Sequence, residues 1–112
     1  KDHDHRADGF LVQQLFRTAG SIMDNIAEGL ERNGNRELIQ FLSISKASAG
    51  ELKSQLYRAK DFGTISDRDF DKLFSDVSEI AKQLTGFMKY LKSSDRKGFK
   101  FEDYSEGYKG ID

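Results

Sequence analysis

The chain has 112 residues, 37% of them hydrophobic and 33% charged, which suits one domain with a single core. With no cysteine it can form neither disulfides nor thiolate metal sites, and a formal net charge of −1 argues against a strongly basic nucleic-acid binder while leaving room for a local patch. No stretch is apolar for the length a bilayer crossing needs and no secretory signal pattern is visible, so the expected compartment is the cytoplasm.

The opening Lys1 to Gly9 is polar. Its Asp2-His3-Asp4-His5 run offers metal-capable side chains, but adjacent ligands lack the spacing and supporting hydrogen bonds of a formed site, so adventitious binding at most is expected. From Phe10 to Arg32 the apolar residues follow a helical period: Leu11, Leu15, Thr18/Ala19, Ile22, Ile26 and Leu30 share one face, widened by Phe16, Met23 and Ala27. Asn33-Gly34-Asn35 then supplies a turn whose residues tolerate positive φ.

The second run, Arg36 to Phe62, carries Leu38, Phe41/Leu42, Ser45, Ala49, Leu52, Leu56 and Ala59 at a near-heptad spacing. Ser43, Ser45, Ala47, Ser48, Ala49 and Gly50 make it small-residue rich, which lets another helix approach closely. Gly63 follows as a helix stop. In the third run Phe70, Leu73, Val77, Ile80, Leu84, Phe87 and Leu91 repeat the heptad, with Ser66 placed to cap it and Asp69 as the acidic member of a capping box. No proline interrupts any run.

Short connections between long helices predict an all-α, antiparallel up-and-down bundle, with helices near 10–33, 35–62 and 66–94. One helical domain is expected over residues 1–112, with a polar segment at 1–9 and a core at 10–94. Residues 95–112, holding three glycines and the scattered aromatics Phe99, Phe101, Tyr104 and Tyr108, are expected to be irregular. The apolar faces also include Phe16, Ile39, Ile44, Phe74 and Met88, more surface than one three-helix core needs. The chain is therefore expected not to persist as a monomer.

Chemistry is less visible. There is no paired nucleophile and base, no phosphate loop and no sign of a small-molecule substrate, so neither a catalytic residue nor a cofactor is assigned. Asn25 and Glu28 lie three residues apart beside the Ile22/Ile26 stripe, and burying either requires partners such as Arg17, Glu51 or Gln55. A polar network or a subunit contact is the expected role of this set. A general-acid role for Glu28 or Glu51 would need a cleft and a perturbed pKa that the sequence does not display. Lys46, Lys53 and Lys60 recur every seven residues on one outward stripe, with Arg36 elsewhere on the same helix. They are the candidate phosphate contacts, set against the alternative of a solvated helix face without interleaved aromatics.

The run from Gln14 through Asn25-Ile26-Ala27-Glu28-Gly29 to Arg32 resembles the signature helix of the four helix bundle protein family, encoded in intervening sequences of bacterial 23S ribosomal RNA genes. Glu37 to Lys46, Gly50 to Leu56 and Leu84 to Leu91 are similar to its later blocks, and the likeness runs from about Phe10 to Phe101. The resemblance implies a four-helix bundle whose first helix would lie upstream of Lys1, assembled as a homo-oligomeric ring, commonly a pentamer, with no established enzymatic reaction. Nucleic-acid binding has been proposed for such proteins from their genomic setting, and a related group works with reverse transcriptases. The expected function is thus non-enzymatic self-assembly and protein interaction, with an RNA- or DNA-binding accessory role as the alternative.

Overall fold

A computed structural model describes the backbone of residues 5–104 and the side chains of residues 6–94. Among the described residues the chain is all-α: α1 spans His5–Leu30, α2 Asn35–Asp61 and α3 Asp67–Tyr104. The three helices fall where the apolar periods place them, and the differences lie at the outer ends. α1 begins inside the segment read as a polar lead-in, with Asp8 in its first turn, where the helix dipole favours a carboxylate.

α3 runs ten residues past Ser94, which corrects the irregular segment expected there. Periodicity stops at that point, but nothing stops the helix. The stretch has no proline, and an interior glycine such as Gly98 costs only about 1 kcal/mol relative to alanine, too little to end a helix already propagating. The expectations for Asp2, His3 and Asp4, for the side chain of His5, for the aromatic side chains of Phe99, Phe101 and Tyr104, and for residues 105–112 lie outside the described residues.

The turns form by backbone bonding at the predicted glycines. Gly34, at φ 105°, leads into α2. At the other end Gly63, at φ 82°, completes a Schellman motif: its N–H donates to the Lys60 carbonyl at 3.0 Å, and the Thr64 N–H to the Ala59 carbonyl at 2.8 Å. Ser66 Oγ accepts the Asp69 N–H at 3.0 Å, the serine half of the expected capping box. Thr64 also donates to Asp8 at 2.6 Å, tying this connection to the first turn of α1.

α2 packs antiparallel against both neighbours, whereas the backbones of α1 and α3 do not approach each other. One core cluster gathers Ile22, Ala49, Leu52, Leu56, Phe70 and Val77, and a second Leu42, Leu84 and Leu91. Small residues set the α1–α2 distance. Ser45 Oγ donates to the Ile22 carbonyl at 2.8 Å, and Ser21 and Ser48 hydroxyls meet at 2.9 Å. A β-carbon at Gly29 would lie 2.9 Å from both Leu38 Cδ1 and Phe41 Cβ, so the glycine lets α2 close on the end of α1. Gly50, by contrast, faces open space, and Ser43 and Ala47 are exposed: only Ser45, Ser48 and Ala49 of that small-residue run serve the close approach.

Candidate functional site

The expected polar set does not assemble into one network. Asn25 is half-buried and donates within its own helix, to the Ser21 carbonyl at 2.8 Å and to Ser21 Oγ at 3.2 Å. Through Ser21 it joins the Ser21–Ser48 pair across to α2. Glu28 turns outward and pairs with Arg32 one turn on, at 2.6 Å and largely exposed, a geometry that contributes only a few tenths of a kcal/mol, roughly 0.3–0.5. Arg17 and Glu51 are exposed. Gln55 is 6% exposed, and its buried Oε1 has no hydrogen-bond partner. Spacing alone put Asn25 and Glu28 on one face, but a helix face of that width has a wet side and a dry side, and each residue took one.

The three lysines share one stripe along α2. Lys46 is exposed, whereas Lys53 and Lys60 are half-buried. Lys53 Nζ lies 5.3 Å from the centre of the Phe74 ring and Lys60 Nζ 4.6 Å from that of Phe70. Tyr57 stands between the two lysines, its ring centre 5.0 Å from Phe70 and 5.2 Å from Phe74. Sequence reading missed these aromatics because two of them come from α3. The signal for the third was in plain view, since Lys53, Tyr57 and Lys60 follow an i, i+4, i+7 spacing. Arg36 is exposed but sits about 80–120° around α2 from the three lysines, at about 100° per residue.

On the other edge of the bundle, α1 and α3 leave a groove of about 290 Å³ lined only by apolar side chains. Leu52 and Leu56 of α2 form its floor, Leu15, Phe16 and Ala19 one wall, and Leu73 and Val77 the other. Its rims continue beyond this section. Val12, Phe16, Met23 and Leu30 are exposed along α1, and Leu73, Ile80 and Phe87 along α3. On α3 those three are one half of the heptad; the other half is buried against α2.

Among the described residues there is no group of three His, Asp or Glu side chains placed to hold a metal ion, and no helix is long and apolar enough to cross a membrane. No curated protein and no solved structure matches the chain. A family model does match, over residues 2–86, and it takes in α1, α2 and half of α3, including the Gly29 contact and the small residues at the α1–α2 seam. By that match the chain belongs to the 23S rRNA-intervening sequence protein family.

Proposed function

We propose that the protein is a non-enzymatic, self-assembling helical module that works through protein association, and that the groove between α1 and α3 is where association occurs. One observation carries this reading: Leu73, Ile80 and Phe87 form an uninterrupted apolar heptad row, and among the described residues no helix backbone packs against it. Such a row at seven-residue spacing is the sequence form of a helix–helix seam, and its facing wall on α1 is equally apolar. Burying the two rims together removes apolar surface from water at about 25 cal/mol per Å². Assembly into a closed ring of like chains is the proposed form, since closure leaves no rim open.

Light scattering behind size-exclusion chromatography tests it. The expected result is a mass of several chains that falls when Leu73 and Ile80 are both replaced by glutamate, with helical circular dichroism retained. A monodisperse, stable monomer of the unaltered chain would overturn the reading.

A further inference from the structure

Tyr57 is 51% exposed and sits between the Lys53 and Lys60 ammonium groups, which have no anionic partner among the described residues. Lys53 and Lys60 lie over the Phe74 and Phe70 rings, and among the described residues no carboxylate forms an ion pair with either, even though Asp61 follows Lys60 directly. The rings beneath fix the arrangement. Phe70 and Phe74 are 5.1 Å apart and both brace the Tyr57 ring, while the lysines lose part of their freedom by resting on them. Lys46 extends the positive stripe by a further seven residues, about 10.5 Å along α2.

We propose that Lys53, Tyr57 and Lys60 form a docking platform for single-stranded nucleic acid, with a base stacked on Tyr57 and backbone phosphates against the lysines. An exposed aromatic side chain flanked by cations is a pairing that single-strand binders use: stacking accepts any base, and the cations follow the backbone. An acidic peptide would satisfy the ammonium groups and leave the ring unused. The platform is separate from the self-association groove, because none of Lys53, Tyr57, Lys60, Phe70 and Phe74 lines that groove. Binding and assembly are therefore independently testable.

Fluorescence anisotropy of a labelled oligouridylate and an oligothymidylate, titrated with the full chain across a salt series, supplies the test. The expected result is binding whose log–log salt slope is about −2, from three lysines at roughly 0.7 each on a single strand. Tyr57→Leu, which keeps an apolar side chain against Phe70 and Phe74, is expected to weaken binding about tenfold or more, and Tyr57→Phe to leave it within about twofold. Lys46→Glu, exposed and outside the ring cluster, is expected to weaken binding and flatten the slope. Absence of binding at low salt would overturn the proposal. So would equal affinity of Tyr57→Leu and the unaltered chain, or competition by polyglutamate at equal charge, since either result means generic polyanion binding. Should Tyr57→Leu fail to fold, photocrosslinking of a 4-thiouridine oligonucleotide to the unaltered chain decides: adducts at Tyr57 support the platform, and adducts only elsewhere overturn it.

Discussion

The two halves of the α3 heptad have nearly the same chemistry and opposite surroundings. Phe70, Val77, Leu84 and Leu91 are each 6% exposed, while Leu73, Ile80 and Phe87 are 38–41% exposed. Apolar character in a helix therefore fixes which side chains seek cover, and the neighbouring backbone decides which of them get it. α2 covers one row from end to end. Nothing in the described chain covers the other, and the same contrast divides α1, where Leu11 and Ile22 are buried and Phe16 and Met23 stand in the open.

The sharpest break of this contrast is a charge where the two rows share a residue. Leu52 belongs to the core cluster and to the groove floor, so Leu52→Asp places an unpaired carboxylate between α1 and α3. A loss of about 3–5 kcal/mol is expected in chemical denaturation, because a desolvated charge there has no cation to meet it. Unchanged stability would mean that the floor is wet. Truncation compares the rows directly. Leu84→Ala is expected to cost about 2–4 kcal/mol by leaving a cavity, and Ile80→Ala less than about 1 kcal/mol at protein concentrations where assembly is absent. Equal losses from the two would show that the second row is already covered within the chain.

How much of this was legible follows from the same contrast. Periodicity located all three helices, and Gly34, Gly63 and Ser66 marked their turns, because local chemistry settles those features. Residues 95–104 are helical where the sequence predicts irregular chain, since loss of an apolar stripe removes the reason to pack, and a helix needs no packing to continue through residues that do not break it. The polar signature was legible as a helix face but not as partners: Glu28 took Arg32, in the turn just past its own helix, and Asn25 took Ser21. The platform around Tyr57 was hidden for a different reason. Its rings are brought together by the antiparallel register of α2 and α3, which no single-helix spacing encodes.

A smaller effect probes how α1 is held to the covered side. Gly29→Ala removes a helix-weakening glycine, a gain of up to about 1 kcal/mol, but sets a β-carbon 2.9 Å from Phe41 Cβ, an atom fixed to the α2 backbone. Overpacking of this kind costs about 1–3 kcal/mol, so a net loss of about 1 kcal/mol is expected in thermal melts. A raised melting temperature would show that α1 and α2 separate there at little cost.

An effect of similar size runs in the other direction. Gln55 belongs to the covered side of α2, yet its Oε1 is buried and unbonded, and such an acceptor costs about 1–3 kcal/mol of lost hydration. Gln55→Leu keeps the branched bulk and removes the orphan, so the isolated chain is expected to gain about 1 kcal/mol, which raises the melting temperature by roughly 4–8 °C for a domain of this size. The same variant separates two roles for the residue. If Gln55 only fills the α2 surface, the gain appears at every protein concentration and the mass by light scattering is unchanged. If a neighbouring subunit supplies a donor to Oε1, the gain appears only in dilute samples, and at high concentration the assembly becomes weaker than that of the unaltered chain. A destabilised monomer would contradict both, since it would require Oε1 to be already bonded within the chain.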